Sequence, residues 1–337
     1  MQLSGPGASS PRELASGVPQ LLSGRIFLLT LVLLTSWIGG LEAYWRSQGF
    51  LPNVPDSVGL WSFWRTRIYE PRGNVLVFLG TSRIRADVDL DTLAHTLPAF
   101  RSVQLGVSGD VSPMGTLQSL ALDPHFHGVV ICELAAPFLE RARWDDQKKF
   151  FRQPLGNGSF EELACAYLRG KVATLHHRLT IGALVRQLWS TDAVLAPPRC
   201  HTCFDRSLCY NAPTLSDGTL DDGHQLALQK TVDPRSLMEG VAALRESVLR
   251  IQTRHGSVVF VGLPASTPDA EMTDSGFKNN VTWSRLAELT GAICVPLETR
   301  DSVGSFHCSD SVHLDRKQAT RLTQRLIAEL RRNRVVE

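Results

Sequence analysis

Asn74-Val75-Leu76-Val77-Phe78-Leu79-Gly80-Thr81-Ser82 is the stretch on which the fold reading turns. Its apolar residues follow one another without alternation and stop at a glycine. That is the pattern of a short strand buried on both faces. Four similar runs lie downstream: Ser102–Leu105, Gly128–Cys132, Ser257–Leu263 and Ala292–Val295. Between and after them lie stretches with helical spacing. Residues 236–254 place Leu237, Val241, Leu244, Val248 and Ile251 on one stripe, and residues 315–332 do the same with Ala319, Leu322, Leu326 and Leu330. Buried strands alternating with amphipathic helices predict a parallel sheet covered on both faces. In such sheets ligands and chemistry gather at the carboxyl ends of the strands.

The chain has 337 residues, enough for one large domain plus extra segments. With 43% hydrophobic and 20% charged residues it is not a disordered polymer. Thirty-five basic and 33 acidic residues leave a net charge of +2, too small for a protein that neutralises nucleic-acid phosphates. Residues 1–24, rich in Ser, Gly and Pro, read as a disordered tail. Residues 25–45 read as a transmembrane anchor, because no charge interrupts the run from Ile26 to Leu41 and Trp37, Tyr44 and Trp45 suit the far interface. A cleaved signal peptide is the rival, but Leu41 and Ala43 make a poor cleavage site. Arg12 and Arg25 before the segment favour a cytoplasmic N-terminus, against Arg46 close behind it. The expected arrangement is a single-pass inner (cytoplasmic) membrane protein with its body exported. Residues 46–72, with Pro52, Pro55 and Pro71, read as a linker. Residues 73–337 form the α/β domain, interrupted by an insertion at about 140–235 that caps one side.

Three motifs bear on chemistry. Gly80-Thr81-Ser82-Arg83 puts a serine at a strand-to-helix turn; taken alone, it is simply a turn. A serine there needs a base within hydrogen-bond reach to act as a nucleophile. Gly106-Val107-Ser108-Gly109-Asp110 brings a backbone N–H into the open, either to hold an oxyanion or merely to open a helix. Asp310-Ser311-Val312-His313 sets a carboxylate one turn from an imidazole. It reads equally as a helix cap beside a surface histidine.

Together, in this order, these pieces resemble the SGNH (GDSL-like) hydrolase superfamily. Phe78–Ser82 looks like its first block, Leu105–Asp110 its second and Asp310–Leu314 its fifth, over a scaffold spanning residues 74–332. The resemblance implies a three-layer α/β/α fold with about five parallel strands. It implies Ser82 as nucleophile, His313 as general base and Asp310 as orienter, with the N–H groups of Ser82 and Gly109 as oxyanion donors and no cofactor or metal. Two departures stand out. Thr81 replaces the usual acid of the first block, a position that also varies in membrane-anchored members that acylate bacterial polysaccharides. The third block normally supplies an asparagine, whereas Cys132–Phe138 contains none. Arg83 and Glu133 are expected to form a structural ion pair near the site.

Other candidates are weaker. Cys200-His201-Thr202-Cys203 with Cys209 suggests a disulfide, zinc or free thiols. In an exported insertion a disulfide is the simpler reading, and His201 between two cysteines makes joint ligation awkward. Cys132, Cys165 and Cys294 read as core residues, and Cys308 as a staple without a deducible partner. His176 and His177 are expected on a helix, pointing apart. His125 and His127 read as surface residues, Asn157 and Asn280 as glycosylation acceptors only in a eukaryotic secretory pathway, and the Arg331–Arg334 end as a solvated helix terminus. The functional expectation is a membrane-anchored serine esterase or O-acyltransferase acting on an envelope glycan or other acyl ester, with an envelope biosynthesis complex as partner. The alternative is a non-catalytic glycan- or partner-binding component of such a complex.

Overall fold

The computed structural model describes residues 20–71, 73–156, 158–180, 182, 185, 197–210, 233–264, 283–297, 306, 308 and 312–337. The chain divides into two units, one ending at Gly49 and one running from Phe50 to Glu337.

The first unit is helix α1 (Gln20–Ser47), whose segment Gly24–Ser47 is long and apolar enough to cross a bilayer. The hydroxyls of Thr30 and Thr35 donate back to Ile26 O and Leu31 O at 2.9 Å, so neither is left unbonded on the apolar surface. The helix outruns the expected 25–45 at both ends. Beyond Tyr44 it is continued by the Glu42–Arg46 pair at 2.6 Å, one turn apart. The expected tail lies outside the described residues up to position 19.

The second unit opens on α2 (Val58–Thr66), capped by Ser57, whose side chain accepts from Leu60 N. This corrects the linker reading of 46–72. The prolines at 52 and 55 precede the helix and do not interrupt it. Leu60 and Trp61 are buried, and Trp61 Nε1 donates to Leu105 O at 3.0 Å. The segment is part of the core because its aromatic content outweighs its turn residues.

The remaining elements are β1 (Asn74–Leu79), α3 (Ser82–Asp87), α4 (Leu90–Thr96), β2 (Phe100–Gln104), α5 (Met114–Leu122), β3 (Val129–Glu133), α6 (Lys148–Phe151), α7 (Phe160–Arg169), β4 (Cys200–Thr202), β5 (Leu208–Tyr210), α8 (Pro234–Gln252), β6 (Ser257–Gly262), α9 (Trp283–Thr290), β7 (Ile293–Pro296) and α10 (Arg316–Arg332). Five strands form one parallel sheet in the order β2-β1-β3-β6-β7, with β1 paired to both β2 and β3. Strands β4 and β5 form a separate antiparallel hairpin within the stretch expected to be an insertion.

The strand residues divide by alternation between two apolar layers. Val75, Val77, Leu79, Val130 and Phe260 pack with α5, α8, α9 and Trp61 on one face. Leu76, Phe78, Ile131, Val259 and Val261 pack with α3, α4 and α10 on the other. The three-layer α/β/α architecture is therefore present, with five parallel strands. Its strand order reverses between β1 and β3, and the crevice beyond their carboxyl ends is the usual ligand position in such sheets.

Candidate active site

Strand β1 delivers the chain to Gly80, whose φ of +155° suits a residue without a side chain. A Cβ there would lie 2.6 Å from the Glu133 carboxylate and 2.8 Å from Ile84, so glycine is also required by space. Thr81 then caps α3, its hydroxyl accepting from Arg83 N at 3.2 Å. Ser82 is the first residue of that helix and is nearly buried.

From the other end of the chain comes His313, also buried. Its Nε2 lies 2.8 Å from Ser82 Oγ. The next residue, Leu314, donates its N–H to Asp87 Oδ1 at 2.9 Å, and Asp315 caps α10 by accepting from Gln318 N. The last turn of α3 thus holds the segment that presents the imidazole to the first turn of the same helix. The Tyr210 ring, from β5, stacks on His313 with centroids 4.5 Å apart and planes 14° from parallel. Asp310 lies outside the described residues.

The loop after β2 runs alongside. Leu105 N and Val107 N donate to Phe78 O and Gly80 O at 2.9 Å, continuing the β1–β2 pairing past the strand ends. Gly109 adopts φ +112°, and a Cβ built there would meet nothing within 4 Å. The residues beside it are pinned. Ser108 Oγ accepts from Arg85 Nη1 at 2.7 Å, and Arg143 reaches both the carboxylate and the carbonyl of Asp110, at 2.9 and 2.7 Å.

Under this loop lies a buried charge cluster. Arg206, in the hairpin turn, donates to Gln104 O and Gly106 O and forks onto Asp56 at 2.8 and 2.9 Å. Arg85 shares Asp56 at 2.9 Å and also donates to Arg206 O. Burial raises the Asp56 carboxyl, but Arg206 and Arg85 outweigh it and hold the group below its ordinary value. Arg85 is pulled down to about 10, first by burial and then by the neighbouring Arg206. Arg206 itself has φ +70°, a left-handed turn conformation that its buried bonds hold in place.

At the end of β3, where the resembled family carries its third block, stands Glu133. Its Oε2 accepts from both the N–H and the hydroxyl of Thr81, at 2.7 and 2.9 Å. Its pair with Arg83 is looser, at 3.7 Å, because Arg83 also donates to Leu263 O and Pro264 O. The expected ion pair is present, but the tighter partner of Glu133 is the turn that carries Ser82.

The insertion holds further departures. His201, Cys203 and Cys209 converge, with one donor atom of each within 4.8 Å of the others. The awkwardness expected for His201 is removed by strand geometry. Residues 201 and 203 fall on the same side of the hairpin, and Cys209 pairs directly across from His201. Cys203 and Cys209 are free thiols with sulfurs 3.8 Å apart. Their hydrogen bond draws Cys203 down to about 4 and pushes Cys209 up. Cys165 is exposed, not in the core, because the buried stripe of α7 passes through Ala166. His176 and His177 stack at 4.5 Å instead of diverging, because His176 is the extended cap of a short 3-10 turn that begins at His177 and the two are not successive residues of an α-helix. Asn157 and Asn280 lie outside the described residues.

No family model matches the chain, and no curated protein matches it. Several solved structures resemble it, two of them as follows. A structure of TesA aligns at 14% identity and TM-score 0.36, over 76% of this chain and 98% of that one. Protein YxiM from Bacillus subtilis aligns at 10% identity and TM-score 0.34, over 78% of this chain and 58% of its own. Likenesses of this size do not transmit an activity.

The sequence reading brought Ser82, His313 and Gly109 forward and placed Arg83 beside Glu133. It missed Tyr210, Arg206, Asp56, Arg85 and Asp87. Nothing in the linear order marks these five, since each acts by a contact across at least 23 positions.

Proposed function

We propose that this chain is an SGNH-type serine enzyme that cleaves or transfers an acyl ester, held at a membrane by α1. The observation that carries the reading is the 2.8 Å contact between His313 Nε2 and Ser82 Oγ, beyond the carboxyl ends of the sheet and beside its reversal point. In this reading Ser82 attacks the ester carbonyl as its proton passes to His313 Nε2. The oxyanion is met by the N–H groups of Ser82 and Gly109. His313 then gives the proton to the leaving alcohol, and an acyl-serine remains. Water returns the free acid, or a sugar hydroxyl takes the acyl group. In both cases His313 removes the acceptor's proton and Ser82 is regenerated. Asp310 is the proposed orienter of the imidazole.

The apolar helix supports a membrane-proximal site, and with the second unit on the outer side, as this reading places it, an envelope glycan is the acceptor or substrate. Labelling of the full-length chain with a fluorophosphonate tests the reading, because the probe phosphonylates an activated serine. Wild type is expected to label and Ser82→Ala is not. A second reading, a non-catalytic glycan- or partner-binding component, is motivated by the absence of an asparagine from Cys132–Phe138, the stretch where the resembled family carries a donor. Absence of serine-dependent labelling, under conditions where a control esterase reacts, would favour it.

A further inference from the structure

We infer that His201, Cys203 and Cys209 form a binding site for a borderline-soft divalent metal ion, Zn²⁺ by preference. The argument is geometric and independent of the esterase reading. The hairpin places all three side chains on one side, with a donor atom of each within 4.8 Å of the others. Two thiolates bound tetrahedrally to zinc, with Zn–S of about 2.3 Å, stand about 3.8 Å apart. Cys203 Sγ and Cys209 Sγ are 3.8 Å apart. A disulfide would instead require about 2.05 Å. His201 Nδ1 is buried without a hydrogen-bond partner among the described residues, and a metal or its second shell would satisfy it. Thiolate and imidazole donors are the set that zinc takes in preference to magnesium or calcium.

Three protein ligands leave one tetrahedral position. That position faces a cavity of about 290 Å³, lined besides the three ligands by Leu51, Pro52, Gly170, Tyr210 and Arg316. Water or a small anion drawn to Arg316 completes the sphere. Binding exchanges one proton from each thiol for the metal ion, so two thiolates balance the divalent charge and no electron moves. Cys200 is excluded as a ligand because strand alternation turns it to the opposite side of the hairpin.

The metal fixes a three-residue ribbon that has little core of its own. That ribbon carries Arg206 to the loop after β2 and Tyr210 to His313. The site is therefore structural, and its loss reaches the Ser82–His313 pair through Tyr210.

The test uses the full-length chain, purified in detergent under reducing conditions and dialysed against Zn²⁺ and, separately, Co²⁺. Elemental analysis is expected to find about one metal per chain, and the Co²⁺ form to show thiolate charge-transfer bands and intense tetrahedral d–d bands. Cys203→Ser and His201→Ala are expected to weaken binding at least tenfold, while Cys165→Ser, an exposed cysteine outside the cluster, binds as wild type. Metal binding to wild type is read without any variant, so a poorly folding mutant does not obscure the result. The proposal is overturned if reduced wild type takes up neither ion, if Cys203→Ser binds as tightly as wild type, or if the chain as isolated carries a Cys203–Cys209 disulfide and no metal. Metal content and fluorophosphonate labelling of Ser82 are read in separate measurements, so a chain that labels without taking up metal, or binds metal without labelling, tells which of the two proposals has failed.

Discussion

Replacing Asp56 with alanine should cost more stability than its surface position suggests. The Asp56 side chain is 21% exposed, whereas its partners Arg85 and Arg206 are 1% and 0% exposed. Removing the carboxylate leaves two buried guanidinium groups facing each other with no counter-charge. Breaking a buried pair costs about 3–5 kcal/mol, and the partial exposure of Asp56 favours the lower end, near 3 kcal/mol. That corresponds to a melting temperature lower by about 5 °C for a unit of this length. Urea unfolding of the full-length chain, followed by tryptophan fluorescence, measures the difference. A loss of less than about 0.5 kcal/mol would refute the reasoning, since that is the size of an ordinary surface substitution. A double-mutant cycle with Arg206→Met sharpens the test. The two single losses should exceed the double loss by more than about 1 kcal/mol, because each single variant strands the other's charge. The same cluster sets an acid limit. The folded-state carboxyl lies below its ordinary value of 3.8, so between the two values the unfolded chain binds more protons. The contribution of Asp56 is complete above about pH 4 and is lost as pH falls through the lowered value.

Ser82→Ala and His313→Ala should each reduce cleavage of p-nitrophenyl acetate by at least about 10³-fold without a large change in unfolding midpoint; wild-type turnover in either would remove the assigned roles. Glu133→Gln retains an acceptor for Thr81 but removes its charge, and is expected to cost about 1–3 kcal/mol in urea unfolding and to lower kcat more than it raises KM. An unchanged kcat would show that the Ser82 turn does not depend on the carboxylate. His176 is lowered from 6.5 to about 4, by burial first and then by His177, Arg178 and His201, so it stays neutral in the folded chain while the unfolded chain takes up its proton. Stability should fall between about pH 6.5 and pH 4 by up to about 1.4 kcal/mol per pH unit, and His176→Gln should flatten that slope. A periplasm-dependent reporter fused after Glu337 should be active only outside the cytoplasm; cytoplasmic activity would reverse the proposed orientation.

The sheet was legible because its strands carry their own signal. Val75–Leu79 and Val258–Val261 are buried on both faces, so they are apolar throughout and need no partner to be recognised. The expected strands at Ser102–Leu105 and Ala292–Val295 differ from β2 and β7 by at most two residues at an end. Residues 50–66 were misread for the opposite reason. Pro52 and Pro55 are local signals, whereas the burial of Phe50, Val54 and Trp61 depends on surfaces supplied by distant segments, including the loop after β2 and the insertion. A linker and a wrapped core segment look alike until the partner surface is known.

The site shows the same division at finer scale. Ser82 and Gly109 are tied to strand ends, where turn chemistry is local, and a glycine with φ +112° leaves a mark in the sequence. The groups that hold them are arginines, and arginine in a sequence reads as surface. Arg85 lies three positions beyond Ser82 on a short helix, and only the burial of that helix turns its guanidinium inward onto Ser108 and Asp56. Arg206 lies in a hairpin whose position depends on α2 and the segment before it, through Trp64 Nε1 donating to Phe204 O at 2.7 Å and Asn53 accepting from Thr202 N at 2.7 Å. The insertion is therefore not a lid placed over a finished pocket. It supplies a guanidinium beneath the Gly109 loop and an aromatic ring beneath the imidazole. On the proposed mechanism, loosening the hairpin should then slow ester cleavage through both the Gly109 loop and the imidazole of His313.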